Sequence, residues 1–492
     1  MKNISLYCCL IIAHFSMAQN RVLPIGSYYK DQVFRMGTSA APVFPVENQQ
    51  SNYYKYTKDS TKRYSNFGYA LYNKELIELH KKEGSLWITP LLDISLGKGL
   101  ADTLARRSQN TRGARIEGAL GKKVFFSTAI FENQAVFAPY ISQYVSQRGE
   151  FYPNATDSTY GMQNAVIPGA ARTKPFKTEG YDYAYAVGMI RWTILPKLNV
   201  YWGNQSVFVG SGHRSMLWSD NSVPAMNLRV QYQLGEKWDF QFSKMRGFNL
   251  LRLPVATNGE AYYEPKSLSM AVIYFKPTKQ TSIGLFEGGI WSRGDSLQKT
   301  PIQAAYFIPI PGGAVLQEAI NQKAYSLLGV DANHRFKNWM IYGQFGLNVN
   351  QAQSFVGQLG TRIFFQKASY SFVQVEFNHA DKMAYVAKNP RIHYANYQLP
   401  LAHPMGGNLD ELLVRFNFEW KHWFVAGQSS YYLNQAVNYK QLLPIYQAEN
   451  SATQTSFYQS LELGYRFNRS YGFDVFASFV YRNAWTSSSR ME

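Results

Sequence analysis

From about residue 86 onward, apolar and polar positions alternate with a period of two. Phe457, Leu461, Leu463, Tyr465 and Phe467 share one face, and Ser456, Ser460, Glu462, Gly464 and Arg466 share the other. After a turn over 468–472, Phe473, Val475, Ala477, Phe479 and Tyr481 alternate with Asp474, Ser478 and Arg482. The same pattern sets Leu412, Val414, Phe416, Phe418 and Trp420 against Arg415, Asn417 and Glu419, and Ile341, Gly343, Phe345, Leu347 and Val349 against Gln344, Asn348 and Asn350. These are strands with one lipid face and one wet face. A closed sheet around a polar interior is the arrangement that satisfies all of them.

Runs of this kind begin near 86, 113, 124, 181, 197, 213, 226, 237, 268, 281, 326, 339, 355, 369, 412, 422, 456 and 472. The prediction is an all-β fold, a transmembrane antiparallel β-barrel of about 16–18 strands over 86–485. Short turns such as 234–237 and 335–338 alternate with long links at 139–178, 245–266, 294–323 and 381–410, which read as extracellular loops or lumen plugs. The last strand closes near Tyr481 or Trp485, and 486–492 is a polar tail.

Residues 19–85 differ. They hold Pro24, Pro42, Pro45 and a polar stretch over 49–64. Leu71, Glu75, Leu76, Leu79 and Lys82 recur at helical spacing, which predicts one helix over 69–82, ended by Gly84. This is read as a small periplasmic N-terminal segment that packs beneath the barrel or serves as a docking surface. Residues 1–18, with Lys2, an apolar run over 4–15 and Ser16-Met17-Ala18, read as a cleaved signal peptide. The chain is therefore expected in the outer membrane of a Gram-negative cell.

Composition sharpens this picture. Both cysteines, Cys8 and Cys9, lie in the leader, so no disulfide or thiolate chemistry is available to the rest. Aromatic residues make up 16% of the chain, with 36 tyrosines and 32 phenylalanines, the make-up of a barrel with aromatic girdles. A net charge of +18 points to an anionic partner such as lipopolysaccharide, an acidic glycan or phosphate, or to Lys and Arg lining a wet lumen. Export to the outer membrane leaves nucleic acid without a role.

The densest chemistry lies in 201–221, read as a strand, a glycine-rich turn at Gly210 and Gly212, and a second polar strand. Arg214 offers planar donors for a carboxylate or phosphate. Asp220 and Asn221 add acceptors and an amide, while Trp202 and Trp218 supply faces for a sugar ring. Together with His213 and Ser215 these form the candidate glycan-binding set. The competing reading makes the glycines turn residues and pairs Arg214 with Asp220 across the lumen; Arg115, Glu117 and Glu132 read as more of that interior ladder. His213, Ser215 and Asp220 lack a glycine-lined elbow or an oxyanion hole, which argues against a catalytic triad. Asn378-His379 has no persuasive partner serine and reads as a lumen histidine. The eight histidines form no ligand-spaced cluster, so no metal and no cofactor are expected. His403-Pro404 with Gly406-Gly407-Asn408 reads as a loop entering a strand.

The Gly210-Ser211-Gly212-His213-Arg214-Ser215 core with its Ser219-Asp220-Asn221 end, the segments Asn110-Thr111-Arg112-Gly113 and Glu132-Asn133-Gln134, and the stretch Leu401 to Glu411 resemble the RemB-like gliding-motility outer-membrane proteins and, more distantly, the Wzi capsule-assembly family. The resemblance spans most of the chain after the leader. It implies a non-enzymatic β-barrel that holds surface polysaccharide and supports gliding or surface adhesion, with lipid, lipopolysaccharide, polysaccharide and motility or secretion proteins as partners. An anion-favouring channel and a structural partner of a motility or secretion machine are the alternatives.

Overall fold

A computed structural model describes residues 30–34, 41–45, 65–68, 76–100, 106–153, 160–252, 263–294, 300–349, 354–365, 370–435, 453–468 and 472–487, with 32 and 66 omitted. Twenty-one strands belong to a closed barrel sheet. Three are pieces of three or four residues within 150–176. The other eighteen pair antiparallel in chain order, from Ile77–His80 and Gly84–Lys98 to Thr453–Asn468 and Phe473–Ser487.

The wall's outer face is apolar because alternate residues point outward. Ile341, Phe345, Leu347, Leu412, Phe418 and Trp420 are exposed, as their alternation predicts. One rim is built from tight turns such as 196–197, 235–237, 336–338 and 421–422, and carries Trp192, Trp238, Trp339, Trp420 and Trp423 in exposed positions. The opposite rim carries the long links.

Three expectations are corrected here. The run near 213 is not a wall strand: the wall strand Leu198–Gly203 ends, residues 204–226 turn into the lumen, and the wall resumes at Asn227. The predicted helix is absent where its span is described, since Ile77–His80 is a strand paired with Gly84–Lys98; residues 69–75 lie outside the described residues. Ile77 and Leu79 alternate with Glu78 and His80, so this stretch also fits a period of two. Glu78 accepts a hydrogen bond from Trp87 Nε1 at 3.2 Å on the inner side, while Ile77 and Leu79 are exposed on the outer side. The missed first strand and the misplaced 213 strand offset one another in the count.

The third correction concerns 19–85. Of its described residues, Lys30, Asp31, Val33, Phe34 and Ala41–Pro45 are buried inside the barrel. Val43 and Phe44 pair with Val209 and Phe208 of the lumen segment.

The lumen segments share one core. Met216, Leu217 and Trp218 from 204–226, Ala41 and Val43, and Tyr385, Ile392, Tyr394, Leu401 and Ala402 from 381–408 pack against inward Leu268, Met270, Val272, Phe286, Ile290, Tyr325 and Leu327 of the wall. Side chains of the plug pair several of its buried backbone carbonyls, as burial requires. Tyr385 Oη donates to Met216 O at 2.9 Å, Tyr394 Oη to Leu217 O at 2.8 Å, and Asn221 Nδ2 to Pro400 O at 3.1 Å.

Candidate functional site in the lumen

The tip of the plug, residues 208–216, is held by inward side chains of the wall. Gly210 has φ 117°, which favours glycine, and the Gln344 amide occupies the space a side chain there would take. Gln344 Nε2 donates to Val209 O at 3.0 Å and its Oε1 accepts from Met216 N–H at 2.7 Å. Glu376 accepts the backbone N–H groups of His213 at 2.8 Å and Arg214 at 3.1 Å, and Tyr342 Oη donates to it at 2.8 Å.

Arg214 reaches the next strand. Its Nη2 lies 3.2 Å from Glu411 Oε1 and donates to Tyr432 Oη at 2.9 Å. Burial alone would ease loss of the guanidinium proton, but Glu411 beside it raises the Arg214 pKa above its ordinary value. His403 is fully buried, with Nε2 2.7 Å from Glu411 Oε2, and Met405 N–H donates to its Nδ1 at 3.2 Å. Burial holds the His403 pKa down against the pull of Glu411, so the ring is neutral, with Nε2 as donor and Nδ1 as acceptor. A stretch expected only to shape a loop thus supplies a partner for a buried carboxylate.

The N-terminal residues complete the charge balance. Asp31 sits 3.2 Å from both Arg362 and Arg415. Lys30 lies over the Phe208 ring at 3.4 Å and 3.7 Å from Asp220, with its pKa lowered by burial. Lys30, Arg214, Arg362 and Arg415 therefore face Asp31, Asp220, Glu376 and Glu411, an even balance of charge. Such matching is what burial of so many ions demands.

Beside this network lies a cavity of about 290 Å³. Asp31 and His213 border it on the plug side, and Arg415, Gln428, Glu462, Arg466 and Asp474 on the wall, with Phe372, Phe424 and Phe476 between them. Burial together with Arg415 and Arg214 pushes the His213 pKa well below the usual histidine range, so it faces the cavity as a neutral ring. Guanidinium, carboxylate, amide and phenyl groups on one wall can hydrogen-bond and stack a polar ring-shaped ligand.

The seven residues singled out from the sequence do not converge on this cavity. Only His213 lines it. Arg214 is spent on Glu411, and Asp220 meets Lys30 rather than Arg214. Ser215 is buried, with its Oγ donating to Val209 O at 2.6 Å. Trp218 is 3% exposed, edge-on to Tyr394, and Asn221 is bound to Pro400. Trp202, at 55% exposure, pairs with exposed Leu228 and Ile190 on the outer wall. Alternation explains its direction: Tyr201 points in and its neighbour points out. Elsewhere, Arg115 and Glu117 do face inward, 3.8 Å apart, whereas Glu132 shares the outward parity of exposed Ile130. Asn378 faces the lumen, but His379 faces outward between Asp410 and Asp381. Arg415, Glu462, Arg466 and Asp474 were visible as inward positions; their meeting with Asp31 had no local signal.

No family model matches the chain, and no curated protein matches it. Among solved structures it is similar to Wzi of Escherichia coli, described as an outer-membrane protein involved in group 1 capsule assembly and a carbohydrate-binding β-barrel. That likeness has a TM-score of 0.54 at 14% identity and covers 95% of this chain and 96% of Wzi. It also matches OccAB2 of Acinetobacter baumannii, with a TM-score of 0.41 at 8% identity over 82% of this chain and 94% of that one. OprD of Pseudomonas aeruginosa gives 0.41 at 11% identity over 82% and 89%. The likeness to Wzi shows a shared β-barrel fold.

Proposed function

We propose that this chain is a non-enzymatic outer-membrane β-barrel, delivered by a leader over 1–18, that binds or anchors surface polysaccharide and thereby supports gliding motility or surface adhesion. The observation that carries this reading is the lumen: an apolar-cored plug clamped by Glu376 and Glu411 stands beside a cavity lined by arginines, carboxylates, an amide and phenyl rings. A transport pore needs a continuous wet path, whereas a binding barrel needs a pre-formed polar recess. Arg415, paired with Asp31, and Arg466, paired with Glu419 and Asp474, border the recess beside Gln428 and the phenyl rings, a lining that suits a polar sugar ring. The likeness to Wzi, itself described as carbohydrate-binding, supports the same reading.

The test compares cell-attached with released polysaccharide in a deletion strain, the complemented strain and an Arg415→Gln variant. Shedding by the deletion and the variant, at unchanged barrel levels, supports anchoring through the cavity. Shedding by the deletion alone keeps the function and removes the site. An anion-favouring channel is the second reading, favoured by a closed wall of this size, which is wide enough for an aqueous lumen. Planar-bilayer recording separates the two, because a plugged barrel is nearly silent and an open one conducts with anion preference.

A further inference from the structure

Residues 300–323, in the link between strands Thr281–Ser292 and Ala324–Arg335, do not fold into the lumen as the plug does. Along Thr281–Ser292, Ile283 and Leu285 are exposed on the outer face, and Glu287, two residues on, has the same parity. An outward carboxylate next to that lipid-facing pair carries a desolvation cost if left in lipid. Glu287 is instead 4% exposed, because a helix over Gly313–Asn321 covers it. Its Oε2 accepts Gly312 N–H at 3.0 Å and its Oε1 accepts Val315 N–H at 3.0 Å, so the carboxylate closes the helix N-terminus.

The rest of the link is fitted to the same face. Trp291, outward by the same alternation, is buried against Tyr306, Ala305 and Ala314. Tyr306 Oη donates to Leu268 O of the wall at 3.2 Å, and Lys244 Nζ donates to Ile308 O at 3.1 Å. Gly289 lets the helix approach: a side chain there would lie 2.8 Å from the Ala314 Cβ.

The far side of the link is apolar. Ile302, Phe307, Ile310, Leu316 and Ile320 are exposed, and residues 300–322 contain one charged residue, Glu318. That is out of character in a chain with 50 Lys and Arg. Position along the wall explains it. Twelve tilted residues climb about 30 Å, little more than the apolar band of about 25 Å, so Glu287 near the middle of its strand stands at bilayer depth.

We propose that residues 300–322 form a lipid-facing anchor folded over the outside of the wall at bilayer depth, with Phe307, Ile310, Leu316 and Ile320 against acyl chains in continuity with Ile283 and Leu285. This rests on the reading that the barrel spans a membrane. The anchor shields Glu287, Ser269 and Ser326 from lipid with its own backbone and presents an apolar surface in their place.

Nitroxide labels test it. Leu316→Cys and, separately, Ile320→Cys are labelled in protein reconstituted into phosphatidylcholine vesicles, beside Leu285→Cys on the bare wall and Gln280→Cys in a tight turn. Protein whose gel mobility still depends on heating is compared for collision with oxygen and with a water-soluble nickel chelate. High oxygen and low nickel accessibility at 316 and 320, matching 285, is the expected result. Nickel accessibility at 316 and 320 as high as at 280 overturns the anchor, while leaving the membrane reading intact if 285 remains shielded. Protection from both reagents overturns it in favour of a protein partner or a second copy. Nickel access at 285 as well brings down the membrane reading itself.

Discussion

Two parts of one wall carry opposite inner faces. In the strands over 263–335, the inward Leu268, Met270, Val272, Tyr274, Phe286, Ile290, Tyr325 and Leu327 are sealed against the plug, with Leu268 and Phe286 at 0% exposure. In the last strand, Phe473–Ser487, the inward positions face open space: Phe476 is 50% and Val480 45% exposed. The strand Gly84–Lys98 is likewise exposed on both faces along its second half. An inner wall is therefore not uniformly polar. It is apolar and sealed where a plug covers it, and in the last strand it holds Asp474, Ser478 and Arg482 among exposed Phe476 and Val480.

This contrast can be broken by acid. His393 lies in the plug, where its Nδ1 accepts Ala387 N–H at 2.8 Å; burial, with Lys266 nearby, lowers its pKa to about 3 from 6.5. Between those values the unfolded chain binds a proton that the folded chain refuses, so stability is full above about pH 6.5 and falls as pH drops toward 3. The fall attributable to this residue reaches at most about 5 kcal/mol, and it should shrink in His393→Asn, read from urea midpoints of the reconstituted barrel across pH. Next in size, Glu411→Ala leaves Arg214 and His403 buried without their carboxylate and should cost about 3–5 kcal/mol, seen as a lower temperature for the heat-dependent gel shift.

Within the plug core, Leu217→Ala removes a fully buried side chain and should cost about 2–5 kcal/mol by the same measurement. Val480→Ala, on the uncovered inner face, should change stability by less than about 0.5 kcal/mol. Equal losses at 217 and 480 would mean that both sectors are packed alike, and the contrast would fall.

How much was legible follows from the same distinction. Alternation at 341–349, 412–420, 456–467 and 473–482 assigned inside and outside correctly, because those strands divide lipid from polar interior. Over Leu268 to Phe275, Leu-Ser-Met-Ala-Val-Ile-Tyr-Phe shows no such alternation, since both faces are apolar. That loss of pattern was the available signal for a filled lumen. The candidate site was less readable. Crowded glycines and polar residues at 201–221 were chemically informative, yet Arg214 and Ser215 serve to bind the plug to the wall, and Trp202 follows strand parity to the outside. Whether a buried arginine meets a ligand or Glu411, 197 residues away, is a property of tertiary structure.

Asp31 bridges Arg362 and Arg415, and the Asp31–Arg415 contact spans 384 positions of chain. The residue among the first described thus neutralises strands that are synthesised near the end. Loop closure over such distances is slow relative to local pairing. The order of assembly follows: the N-terminal residues must be held inside the curling sheet when its late strands arrive, so the barrel closes around its own beginning.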